Sequence, residues 1–155
     1  MNTGTRPSLL FLLACLASCD SPTGLAPLSS PPTDLEAARA YWESHDLERY
    51  RFDTQRLCFC HGLMLEPVRI SVEDGAITSV LSRDDWRPLP LPGEEGGVTW
   101  YTIEDLFDWI EEAMAMGQYL SVEYDPRGYP ADLTIGTMVN DAGTHYLVGN
   151  VRRID

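Results

Sequence analysis

Lysine is absent from this 155-residue chain: all 11 basic residues are arginine, set against 24 aspartates and glutamates. The resulting formal charge of −13 repels phosphate backbones and disfavours nucleic acid as a partner. Its plain consequence is a soluble surface. Catalytic signatures are missing as well. The chain has no G-x-S-x-G elbow, no H-E-x-x-H helix, no P-loop and no G-x-G-x-x-G turn. Its three histidines, His45, His61 and His145, are scattered over expected loops and strand edges, where lone histidines mostly serve as surface or packing residues. These absences point to a non-catalytic protein that needs no cofactor.

Long apolar runs are also lacking. Leu9 to Ala17 is too short to span a bilayer, and Arg6 precedes it, which is the layout of an export signal over residues 1–18. The run ends in Leu16-Ala17-Ser18-Cys19. That arrangement resembles the lipobox of bacterial lipoproteins, in which the cysteine is acylated and becomes the first mature residue. The resemblance implies lipidation of Cys19, a membrane contact through that anchor, and a place in the bacterial cell envelope, at the inner or the outer membrane. Cys15 is a poorer second candidate, because only a short apolar run precedes it. Two or three acyl chains suffice for stable anchoring, at about 0.8 kcal/mol per buried methylene. Residues 19–33, rich in Pro, Ser, Thr and Gly, then read as a flexible tether.

Residues 34–155 read as a single domain. Thr33-Asp34-Leu35-Glu36 predicts a capping box and a helix to about Ser44, burying Leu35, Ala38 and Trp42. Tyr50 to Cys60 alternates like a half-buried strand, with a face switch expected near Thr54 to Arg56. Val68, Ile70 and Val72 alternate with polar residues into Asp74-Gly75, a type I′ hairpin signal that places Val72 opposite Ile77 and Val68 opposite Leu81. Ser82 to Val98 is a loop with Trp86 as its heavy apolar anchor.

Thr102 to Gly117 is the clearest helix. Ile103, Leu106, Phe107, Ile110, Ala113 and Met114 form one apolar stripe between a threonine cap and a glycine stop. Strands follow around Leu120 to Tyr124, at Leu133 and Ile135, and from Thr144 to Val151. Turns fall at Asp125 to Gly128 and at Asn140 to Gly143. The sum is an α+β domain with a mostly antiparallel sheet of about six strands and two helices on one face. Its α-β-β-β order occurs twice, suggesting a duplication. The element order resembles that of PepSY modules and the beta-lactamase-inhibitor-like fold.

Five stretches carry a closer resemblance: Tyr50-x-Phe52; Cys58-Phe59-Cys60; Val68-Arg69-Ile70-Ser71-Val72-x-Asp74-Gly75; Thr102-Ile103-Glu104-Asp105-Leu106-Phe107-Asp108-x-Ile110; and Tyr124-Asp125-Pro126-x-Gly128-Tyr129-Pro130. Together they resemble an uncharacterised family of bacterial secreted and lipid-anchored proteins, a domain of unknown function. They cover about Arg49 to Val151, with one residue fewer between Pro126 and Gly128 than the family usually has. The resemblance implies the envelope location and the domain bounds, and no activity.

Cys58 and Cys60 are the cysteines left for the exported domain. Three states stay open for them: a disulfide, reduced packed thiols, or a soft-metal chelate for copper or zinc with His61 and nearby Met64. Residues i and i+2 of a strand lie about 6.6 Å apart, near the limit for a disulfide, so a bridge needs a local bend. The spacing is also poor for structural zinc. The 102–117 helix carries Glu104, Asp105, Asp108, Glu111 and Glu112 with no basic residue, a solvated face or an acidic docking surface. The leading expectation is a noncatalytic module that binds an envelope protein or ligand through the sheet face its helices leave open. The rival is a thiol, metal or redox protein centred on Cys58 and Cys60.

Overall fold

The computed structural model describes residues 24–60, 62–94, 98–136 and 143–154. The expected export signal with Cys15 and Cys19, the residue His61, and positions 140–142 of the last expected turn lie outside the described residues. The elements, in chain order, are α1 (Leu35–Glu43), β1 (Arg49–Cys58), a single 3-10 turn (Gly62–Leu65), β2 (Val68–Glu73), β3 (Ala76–Ser82), α2 (Ile103–Ala115), β4 (Leu120–Tyr124), β5 (Pro130–Ile135) and β6 (Thr144–Arg153). The six strands form one sheet in the order β3-β2-β1-β6-β5-β4, every neighbouring pair antiparallel. This is the expected α+β architecture. The two halves repeat their element order but not their placement, because β1 follows α1 into the centre of the sheet while β4 follows α2 to its edge.

Helix α2 forms as its sequence dictates. The Thr102 hydroxyl accepts from the Asp105 amide at 3.0 Å, and the Asp105 carboxylate accepts from the Thr102 amide at 2.8 Å. Gly117 closes the helix at φ +65°, in the left-handed region. Five of the six stripe residues are buried against the sheet, but Met114 is 57% exposed and lines an open groove beside Leu35 and Arg39 of α1. Helix α1 starts one residue later than the capping-box reading. Asp34, not Thr33, is the cap, its carboxylate accepting from the Ala37 amide at 2.8 Å.

Both helices lie on one face of the sheet. Tyr50 and Phe52 of β1, Val68, Ile70 and Val72 of β2, and Tyr146 and Val148 of β6 are buried beneath them. Trp42 of α1 meets the rings of Tyr50 and Tyr129 edge-on, at 5.3 and 6.2 Å between centroids. Tyr50 also ties β1 to α2. Its hydroxyl donates to the Glu104 carboxylate and accepts from the Ile103 amide, while the Trp42 indole donates to the same carboxylate at 2.8 Å. Burial, then the neighbouring Glu104 charge, pushes the Tyr50 phenol far above its ordinary pKa, so it remains a donor.

Three one-residue bulges interrupt the ladders; one leaves Ala131 extra in β5, and those in β3 and β6 set which of their side chains face the helices. Val72 pairs with Ile77 as the Asp74-Gly75 turn requires, yet Ser71 pairs with Ser79, so Thr78 is extra and Val68 pairs with Ser82 rather than Leu81. The shift turns Val80 and Ser82 inward and Leu81 outward. The face switch expected within β1 lies instead in β6. Arg51 pairs with Arg152 and Asp53 with Gly149, two residues against three, and Asn150 there has φ +54°. Leu57 keeps the parity of the open face, and Phe59 falls beyond the strand.

The tether reading of residues 19–33 is also shortened. Leu25 is fully buried, the Leu28 amide donates to the Pro126 carbonyl at 2.8 Å, and the Tyr41 hydroxyl donates to the Ala26 carbonyl at 2.9 Å. One leucine docking into the core outweighs the polar composition around it.

Candidate functional site on the open sheet face

The second face of the sheet has no helix on it among the described residues, and strand alternation supplies its side chains. From β1 come Arg51, Asp53, Gln55 and Leu57, from β2 Arg69 and Ser71, and from β6 His145, Leu147 and Arg152. Asp53 is the centre of the face. Arg69 grips it with two hydrogen bonds, at 2.7 and 3.0 Å, Asn150 donates to it at 2.9 Å, and the Arg83 guanidinium stands 3.3 Å away. Burial opposes its charge. The hydrogen bonds from Arg69 and Asn150 and the charges of Arg69 and Arg83 together outweigh that, holding the carboxyl below its ordinary value.

Trp86 belongs to this cluster. Rather than anchoring its loop in the core, it is 49% exposed, with the Arg69 and Arg83 guanidinium carbons 5.0 and 4.6 Å from its ring centroid. Leu89, Val98 and Trp100 are the buried anchors of that segment. Beside the cluster is a shallow concavity of about 370 Å³ between Gln55, Pro67, Arg83, Leu147 and Asn150. Toward the other end of the same face, Arg51 and Arg152 stand opposite each other on neighbouring strands. Neither has an ion-pair partner among the described residues. Like charges in that position repel. The arrangement therefore offers one side a saturated carboxylate flanked by a stacked indole, and the other side two open guanidinium groups.

The acidic residues of α2 divide differently from the expected solvated face. Glu104 turns inward to Trp42 and Tyr50, and Arg39 of α1 reaches Asp108 at 2.8 Å and Glu111 at 3.3 Å. A basic partner was invisible in the helix itself because it comes from the other helix.

The structure joins Cys58 and Cys60 as a disulfide-like pair, with Cα atoms 5.2 Å apart. The needed bend is available because Cys58 is the last residue of β1; Phe59 between them is 77% exposed. Sulfurs paired in this way present no thiolate to a metal. Among the described residues no group of three or more His, Cys, Asp or Glu side chains is placed to hold a metal ion. His145 lies away in β6, bonded to Asp132 at 2.8 Å, and His45 meets the Arg127 carbonyl at 3.0 Å. No helix among the described residues is long and apolar enough to cross a membrane.

Asp53, Arg69, Arg83, Asn150 and the Arg51–Arg152 pair were not singled out from sequence, and Trp86 stands there only as the apolar anchor of its loop. The alternation of β1 and β2 already put Asp53 and Arg69 on the open face, and that was the available signal. Asn150 depends on the β6 bulge and Trp86 on the path of a loop, neither of which leaves a local pattern.

No curated protein and no solved structure matches the chain. A family model does, over residues 34–153, which spans both helices and all six strands. The chain belongs to the family of unknown function DUF6174.

Proposed function

We propose that the protein is a non-catalytic lipoprotein of the bacterial envelope, fastened to a membrane through Cys19, whose domain captures an envelope partner on the open sheet face. The observation that carries this reading is the Arg51–Arg152 pair, without an ion-pair partner among the described residues, on a chain of charge −13. Two guanidinium groups held opposite each other are poor neighbours alone and a good fork for carboxylate or phosphate. Arg69, Arg83 and Trp86 extend the same face with a flat, cationic rim. The partner is accordingly an acidic protein segment or another anionic envelope component.

Pull-down with the native lipidated protein tests it. The doubly substituted Arg51→Glu, Arg152→Glu protein should lose the partner at least tenfold, and capture by the native protein should weaken with added salt. Equal recovery by native and substituted proteins would remove the open face as the recognition surface. Palmitate labelling that persists after Cys19→Ala would separately remove the anchor.

A further inference from the structure

On the helix-covered side of the sheet, at the entry to α2, lies a cavity of about 10 Å³, counted as the space open to the centre of a water molecule. Val68, Ile70, Trp100 and Leu106 contribute apolar walls. Three other lining residues do not suit an apolar hole. Thr54 Oγ1, Glu66 Oε2 and the Tyr146 hydroxyl are each closed to solvent and have no hydrogen-bond partner among the described residues. Thr54 is 9% exposed and Tyr146 5%.

Strand register brings Thr54 and Tyr146 together. Thr54 pairs with Val68 on one side, and Glu66 precedes β2 by two residues. On the other side Arg56 pairs with Tyr146. Tyr146 therefore stands diagonal to Thr54 on the same face of the sheet, and Glu66 lines the same cavity from the segment before β2. Arg56 does not satisfy them. Its guanidinium donates to the Thr99 carbonyl at 2.9 Å and lies over the rings of Tyr101 and Tyr146. Glu66 spends its other oxygen on Arg87, at 2.5 Å.

We propose that this cavity is a binding site for one buried water molecule, held jointly by Thr54, Glu66 and Tyr146. The volume admits one molecule of that size, and the three oxygens supply the two to four polar partners such a water needs. Each of the three oxygens then has a partner. The water donates to Glu66 Oε2 and to one hydroxyl, and accepts from the other hydroxyl. An anion is refused by the Glu66 carboxylate, and a cation by the guanidinium of Arg56 alongside. The water thus links the segment before β2 to β6 across β1, a tie that the side chains do not make directly.

Oxygen-17 relaxation dispersion of the folded domain tests the assignment, because it reports long-lived water and not exchanging hydroxyl protons. The native domain should show one long-lived water more than the Thr54→Val, Tyr146→Phe double variant, which leaves a single oxygen to hold it. Identical dispersion in the two proteins would overturn the site. If the double variant does not fold, Thr54→Val alone decides by sign. Loss of a bond to water lowers the folding equilibrium constant roughly fivefold, whereas deleting a hydroxyl that was bonded to nothing raises it. A raised or unchanged constant overturns the proposal.

Discussion

Asp53 shows how a single charge can organise a surface without being spent on a ligand. Three groups from three places in the chain, Arg69, Arg83 and Asn150, meet at one carboxylate. Its folded pKa lies below its unfolded value, so its contribution to stability is complete above the ordinary carboxylate range and is lost as pH falls through the folded value. Replacing Asp53 with Asn keeps the shape and removes the charge. At neutral pH the variant should unfold at lower urea than the native protein. That gap should narrow progressively once pH drops below about 3.9, where the unfolded carboxyl takes up its proton. Urea midpoints measured across that range check it, and a gap indifferent to pH would mean that the charge of Asp53 does not stabilise the fold. Glu104 gives the contrasting case. It looked like one more surface acid on α2, and its real partners, Trp42 and Tyr50, are remote in sequence, which is why helix periodicity alone could not find them.

At the scale of elements, what was legible followed from local chemistry. The α2 cap and stop, the Asp74-Gly75 turn and the alternation of β2 each depend on residues within a few positions of one another. The bulges at Thr78 and Asn150 depend on the strand across the ladder, and both were missed or misplaced for that reason. The turn of Tyr124 to Pro130 lies between these extremes. Its sequence announces a turn, and the structure adds why Gly128 is needed there. A Cβ at Gly128 would stand 2.8 Å from the Trp42 nitrogen and 2.9 Å from the Ala38 carbonyl oxygen, both backbone atoms of α1, at φ +96°. Gly117 has a comparable left-handed φ of +65° but open space around it. Gly117→Ala should therefore cost about 1 kcal/mol, the backbone contribution alone, while Gly128→Ala should cost more than about 2 kcal/mol because α1 must also move. Chemical denaturation of the two variants side by side measures the difference. Equal losses would show that the turn and the helix can part without penalty.

For the whole molecule, the larger consequence is where the domain begins. The family match starts at residue 34, yet Leu25 belongs to the core, and the chain from Gly24 is held by Tyr41 and by the Pro126 carbonyl. Composition concealed this, since Pro, Ser and Thr surround one apolar residue and a single leucine has no periodicity to detect. Leu25→Ala should lower stability by about 2–5 kcal/mol, the range for a buried leucine, although it lies in a stretch that reads as linker. Unfolding curves that superimpose on the native ones would restore the view of a passive tether. The docking also shortens any leash. If Cys19 carries the lipid, as proposed, the five Cα–Cα steps to Gly24 extend to about 18 Å at most. The domain would then be held close to the bilayer, with the partner reached across the open face and not at the end of a long arm. A flexible insert placed between Cys19 and Gly24 should lengthen that reach, whereas the same insert after Leu25 should first have to pull the leucine from the core and so lower stability as well. Comparing the two inserts by quenching of Trp86 fluorescence with lipid-borne quenchers, and by urea unfolding, separates reach from packing.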